Sequence, residues 1–144
     1  MPCRVYLAHS VFDRERGNKV QERLEKLGFE IYNPLKEEEE HIVNLGWDVG
    51  DLIVSKRIVE IDLKGIRKSD LLLALIPDKK TFGTICEVMY AYIINVPIII
   101  VCPRDMAKHP WIVAISKIVF TYDELERLYK YLETYWRVWI DSMG

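Results

Sequence analysis

A chain of 144 residues with a formal net charge of −2, half of it apolar and 29% charged, has the make-up of one soluble globular domain spanning residues 1–144. A domain of this size buries roughly 70% of its unfolded surface, enough for a single core. The near-neutral balance excludes the basic field of a nucleic-acid-binding domain, and the longest apolar run, Tyr90 to Cys102, is broken by Asn95 and Pro97 and is too short to span a bilayer.

Met1-Pro2-Cys3-Arg4 leads directly into a strand, so no signal peptide is expected. Arg4 to His9 reads as the first strand. Asn18 to Leu27 reads as a helix with Val20, Leu24 and Leu27 on one face, ended by Gly28. Phe29 to Tyr32 is a second strand, stopped by Asn33-Pro34. Lys36 to Gly50 is the least regular part. Its run Glu37-Glu38-Glu39-Glu40 reads as a solvated face, and Trp47 as a lid, an interface residue or a local anchor. Helical spacing returns over Asp51 to Lys68, at Ile53, Ile58, Ile61 and Ile66, before a third strand, Asp70 to Ile76. Gly83 opens a helix over Thr84 to Asn95. Strand Pro97 to Cys102 follows, then a loop with at most short helix over Pro103 to Ser116, and a fifth strand, Lys117 to Phe120. Thr121 and Glu124 form a capping box for a last helix that runs to about Trp139.

Strands alternating with helices predict a single-domain, three-layer, doubly wound α/β fold with a five-stranded parallel sheet of flavodoxin-like type. Cys3, Cys86 and Cys102 form neither a CxxC pair nor a zinc pattern and point to a reducing cytoplasm. Cys102 reads as core, and Cys86 as packing rather than chemistry. The tail Tyr135 to Gly144 gathers large apolar groups, which predicts a subunit interface and a homodimer or higher homo-oligomer.

The loop His9 to Gly17 lacks both GxGxxG and GxxxxGK[ST], which argues against a nicotinamide cofactor and against ordinary nucleotide hydrolysis. There is no HExxH, no paired-histidine spacing and no GxSxG, so neither a metal nor a hydrolase serine is implied, and no cofactor is expected. What remains is Tyr6 on the first strand, Asp62 on the helix before the third strand, and Glu87 in the first turn of the helix after it. In a doubly wound sheet the first and third strands are neighbours at the switch point, so groups near their carboxyl ends converge. Two carboxyls beside a sugar can carry out glycosyl transfer. Taken singly, Tyr6 also reads as a core aromatic, Asp62 as a solvated helix residue and Glu87 as an acid matched to the helix dipole.

Jointly, Val5-Tyr6-Leu7-Ala8, Asp62 to Asp70, Ile76-Pro77-Asp78, Gly83, and Glu87-Val88-Met89-Tyr90-Ala91-Tyr92 leading to Pro97-Ile98-Ile99-Ile100 resemble the nucleoside 2-deoxyribosyltransferase family over roughly residues 4 to 125. The resemblance implies Glu87 as the nucleophile that forms a covalent 2-deoxyribosyl intermediate, Tyr6 as its orienting group, and Asp62 as a substrate contact and candidate acid for the leaving base. A second nucleobase, or water, then captures the sugar. Transferases carry a further aspartate where this chain has Thr81, with Asp78 nearby. They also take an asparagine from a neighbouring subunit, at the position matched by Ser116. In the related 2′-deoxynucleoside 5′-monophosphate N-hydrolases serines contact the phosphate, and Ser10 and Ser116 resemble two of these. Phe12 stands where the hydrolases have an arginine and resembles the aromatic that lines the transferase base pocket. Ser10, Phe12, Asp78, Thr81, Gly83 and Ser116 are therefore the substrate-binding candidates. Three readings follow: a nucleoside 2-deoxyribosyltransferase in purine and pyrimidine salvage, a 5′-monophosphate N-hydrolase, and a non-catalytic nucleotide-sensing module.

Overall fold

A computed structural model of the chain describes residues 2–42, 51–78 and 81–136, together with 138 and 142. Five parallel strands form one sheet: β1 (Arg4–His9), β2 (Glu30–Tyr32), β3 (Leu71–Leu75), β4 (Ile98–Cys102) and β5 (Ile118–Thr121). Their order is β2-β1-β3-β4-β5. The expected doubly wound, flavodoxin-like fold is thus present, with its reversal of strand order between β1 and β3.

The strands are near-continuous apolar runs because both faces are covered. Val5, Leu7, Leu71, Leu73, Ile99 and Val101 face one way, onto α1 (Arg14–Lys26) and α6 (Leu125–Tyr131). Tyr6, Ala8, Leu72, Ala74, Ile98 and Ile100 face the other way, where Ile66 of α3 (Leu52–Arg67) and Val88 and Ala91 of α4 (Phe82–Ile93) complete a second core. The period-two alternation of a strand therefore assigns Tyr6 to the α3/α4 side.

The structure departs from the sequence reading in several places. The first helix begins at Arg14 rather than Asn18, because Ser10 accepts from the Phe12 amide and starts a 3₁₀ turn, Val11–Asp13, that runs straight into it. Gly17 lies inside that helix. A Cβ there would come within 2.8 Å of the His9 ring. A further helix, α2 (Pro34–Ile42), occupies the start of the segment read as least regular. Asn33 caps it by accepting from the Leu35 amide at 3.2 Å, and Pro34 stands at its first position, where a missing N–H is harmless. The dipeptide that ends β2 is therefore also a helix start. The short helix α5 (Pro110–Ile115) falls within the expected loop. The capping box at Thr121 and Glu124 forms, and the chain then runs through α6 into a π turn, Leu132–Trp136.

That π turn alters the reading of the tail. Trp136 is buried against the α1/α6 core, while Tyr135 and Val138 are exposed. The aromatic cluster is thus partly core rather than one exposed patch. Trp139 and Ile140, like Trp47, lie outside the described residues. Cys3 and Cys102 are buried, whereas Cys86 is exposed rather than packed. No helix among the described residues is long and apolar enough to cross a membrane.

Tyr32 ties the second core to the helices. Its ring stacks on Tyr6 at 5.5 Å, and its hydroxyl donates to the Ile61 carbonyl of α3 at 3.2 Å. Gly65 makes room for it, since a Cβ there would lie 2.7 Å from Tyr32 Cζ. The ring is held on both sides and cannot give way cheaply. Gly65→Ala is expected to destabilise the fold by about 1–3 kcal/mol through overpacking, read as a lowered urea midpoint with an unchanged slope.

Candidate active site

Tyr6 projects from β1 beneath α4 and is fully buried. Its hydroxyl donates a hydrogen bond to Glu87 Oε2. Glu87 lies in the second turn of α4, not the first, because the helix starts at Phe82. It is only 8% exposed, so it faces the sheet and gains little from the helix dipole. Glu87 Oε1 is left on the side of Gly83, where even an added Cβ would stand 3.9 Å away. Gly83 and Glu87 both line the pocket, so Oε1 lies beside Gly83 while tyrosine holds Oε2.

Asp62 comes from α3 and Glu38 from α2 into the same crevice, a pocket of about 290 Å³ outside the carboxyl ends of β1 and β3. Glu38 was hidden in the glutamate run. It is half-buried, lines the pocket and is in hydrogen-bonding contact with Asp62. Sequence reasoning missed it because four adjacent glutamates look alike until a helix is placed under them. The capped start at Asn33 was the available signal. Thr84 was missed as well. It lines the pocket, and its hydroxyl is buried with no hydrogen-bond partner among the described residues.

Burial raises the proton affinity of all three carboxyls in the crevice, and neighbouring carboxyls add to the rise for Glu87 and Glu38. Burial pushes Glu87 up to about 8, Asp62 adds to the rise, and the Tyr6 hydroxyl opposes it. Burial likewise raises Asp62, and its neighbours Glu38 and Tyr6 oppose the rise. Glu38 is pushed up to about 9 by burial and by its contact with Asp62. Burial between these carboxyls also holds the Tyr6 hydroxyl well above the ordinary tyrosine value, so it remains a donor. His9, at the pocket floor, is lowered by burial and hydrogen-bonds Asn33 at 3.0 Å. No group of histidines, cysteines and carboxylates among the described residues has the arrangement of a metal site.

The remaining candidates divide. Ser10, Phe12, Thr81 and Gly83 line the same pocket. Ser10 Oγ accepts from the Phe12 amide, and the Phe12 ring is 73% exposed at the rim. Asp78 is exposed and outside the lining. Ser116 precedes β5 at the opposite end of the sheet, beside Asn95 and Pro97, and donates to the Ile112 carbonyl at 2.6 Å. In a parallel sheet all strand starts lie at that end, so Ser116 cannot reach the pocket of its own chain. A second, almost wholly apolar cavity of about 580 Å³, lined by Ile76, Pro77, Ile85 and Met106, adjoins the pocket across Thr81 and Phe82.

Residues 5–134 match the nucleoside 2-deoxyribosyltransferase family. The chain belongs to that family. A 2-deoxyribosyltransferase from Bacillus psychrosaccharolyticus has the same fold, with a TM-score of 0.71 at 20% identity over 92% of both chains. A conserved protein from Enterococcus faecalis V583 gives 0.68 at 18% identity, over 90% of this chain and 96% of that one. A CMP N-glycosidase from Clostridium botulinum gives 0.62 at 18% identity, over 90% and 98%. At these identities the likeness is one of fold. No curated protein matches the sequence.

Membership of a nucleoside-acting family gives the buried carboxyls a setting, and their stability cost is measurable. Glu87 has a folded-state value above its ordinary 4.5, so folding takes up a proton between that value and about 8. Stability from this group therefore falls as pH rises through that window. Glu87→Gln keeps an acceptor for Tyr6 and removes the titration. The variant is expected to be more stable than the parent by about 1–3 kcal/mol near pH 9, with a smaller difference near pH 5, in thermal denaturation.

Proposed function

We propose that the protein is a nucleoside 2-deoxyribosyltransferase that works through a covalent deoxyribosyl-Glu87 intermediate. The observation that carries this reading is the buried Glu87 carboxyl, tethered by Tyr6 through one oxygen, with the other beside Gly83 in the pocket lining. Glu87 Oε1 attacks the anomeric carbon as the bond to the base nitrogen breaks, and Asp62 gives that nitrogen its proton. An incoming base then attacks the same carbon from the opposite face, the ester bond to Glu87 breaks, and the base returns a proton to Asp62. Two displacements retain configuration. Desolvation strengthens the interaction of the carboxylate with the positive charge that develops on the sugar.

Phe12, exposed at the rim, suits the face of a nucleobase. The buried, unpartnered Thr84 hydroxyl suits a sugar oxygen. A nucleoside is favoured over its 5′-monophosphate because the described pocket lining contains three carboxyls and no lysine or arginine. A phosphate dianion there would be repelled. Of the two arginines that follow the first loop, Arg16 lies over the Tyr122 ring at 3.8 Å and beside Asp13 at 3.9 Å, and Arg14 acts on Glu38. A purely sensing module is disfavoured by three closely placed carboxyls, which cost stability with no lysine or arginine in the described lining to offset them.

Incubation with deoxyinosine and adenine is expected to yield deoxyadenosine and hypoxanthine. A 2-fluoro-2-deoxyribosyl nucleoside should leave a sugar adduct on Glu87 by mass spectrometry. Asp62→Asn should slow transfer of ordinary bases by about 10²–10⁴-fold. Base release from dGMP alone would instead establish the N-hydrolase.

The same reading includes self-association. Phe82, Ile85, Tyr92 and Ile93 form an exposed apolar stripe along α4 at helical spacing, and Phe82 also borders the pocket. A second copy on this stripe would sit beside the site and bring an outside residue to it, the place the resemblance gives to Ser116. The three free cysteines suit a reducing cytoplasm. Light scattering is expected to show a dimer or larger, and Phe82→Glu should shift it toward monomer with loss of transfer. A parent protein that is monomeric at every concentration would end this part of the reading.

A further inference from the structure

Glu38 and Asp62 line the same pocket within hydrogen-bonding reach of each other, and Asp62 Oδ1 is buried with no hydrogen-bond partner of its own among the described residues. Ionised carboxyls only accept, so two carboxyls can bond only if one carries a proton. We propose that Glu38 and Asp62 form a single acid dyad that holds one shared proton, with Glu38 as its reservoir and the positioning residue through which Asp62 delivers that proton to the leaving base. The inference rests on the glycosyl-transfer reading and extends it to a residue outside the motifs of the resemblance.

Helix α2 is built to present Glu38. Asn33 caps the helix, and its side chain is itself fixed by His9 at 3.0 Å and by Gln21, to which it donates at 3.0 Å. Glu38 follows one turn later on the pocket side. The charged and titratable groups that act on it come from each surrounding element: Tyr6 from β1, Tyr32 from β2, Asp62 from α3, Glu87 from α4, and Arg14 from α1 pulling the other way. The Tyr6 hydroxyl donates to Glu87 and favours its ionised form, whereas Glu38 and Asp62, with each other's carboxyl close by to share it, hold a proton between them. The crevice thus holds a base and an acid at once, which the first displacement needs.

The proton count closes. As the base–sugar bond breaks and the bond to Glu87 forms, the shared proton passes from Glu38 through Asp62 to the base nitrogen. Glu38 and Asp62 are both left as carboxylates. When the incoming base attacks and the Glu87 ester breaks, that base loses its N–H proton to Asp62, and the dyad is restored.

Glu38→Gln keeps a donor to Asp62 and removes the transferable proton. It is compared with the parent on 2′-deoxyguanosine and on 7-methyl-2′-deoxyguanosine, whose cationic base leaves without protonation. The expected result is a fall in kcat/KM of about 10²-fold on 2′-deoxyguanosine, and a loss at least about tenfold smaller on the methylated nucleoside. The alkaline limb of the pH profile should also move down by about one pH unit or more. A merely structural glutamate would lower both substrates alike and leave the limb in place. An unmoved alkaline limb, or equal losses on both nucleosides, overturns the dyad while leaving the transferase reading intact. A parent protein that releases no base from any deoxynucleoside overturns both.

Discussion

The hydrogen bond from Tyr6 to Glu87 joins the sheet to the chemistry. It crosses from the middle of β1 to the second turn of α4 inside the apolar layer between them, so it can form only when β1, β3 and α4 are docked. In water such a bond contributes little, because the carboxylate is already solvated. In the crevice the hydroxyl is the donor that replaces that water, and losing it would leave a buried carboxyl without its partner. Strand order, the face on which Tyr6 points and the place of Gly83 beside Glu87 all gain their meaning from this contact.

Around it the fold is organised to keep side chains in place rather than to maximise stability. Tyr32 is pressed between Tyr6 and α3, with Gly65 giving the clearance and the Ile61 carbonyl fixing the hydroxyl. His9, Asn33 and Gln21 form a second brace beneath α2. The two braces act on different members of the site, the first on Tyr6 and the second on Glu38. Three carboxyls held this closely, with no lysine or arginine in the described lining, destabilise the ionised protein. That arrangement makes physical sense where positive charge appears transiently, as on a sugar losing its base, and where one acid must remain protonated beside another that is ionised.

Most of the architecture was legible in the chain because it rests on local and periodic signals. Apolar runs at Leu71 to Ile76 and Ile98 to Cys102, separated by helical spacing, dictate buried parallel strands with crossovers. Gly28, at a φ of 96°, and the Thr121–Glu124 box end and begin helices by chemistry that needs no distant partner. Local signals were also misread where they are ambiguous. Asn33-Pro34 both stops a strand and starts a helix, and Gly17 sits within a helix because a histidine ring needs its missing side chain.

For the site, sequence alone determined the residue types and their order: a tyrosine on the first strand, an aspartate before the third, a glutamate after it. Only tertiary structure decided which of them meet. It brought Glu38 out of an acidic run to Asp62, left Asp78 exposed, and put Ser116 at the far end of the sheet. The reason is physical: periodicity records which face a side chain takes on its own element, but the distance between two elements depends on how their buried surfaces pack, and that is a property of all the residues between them.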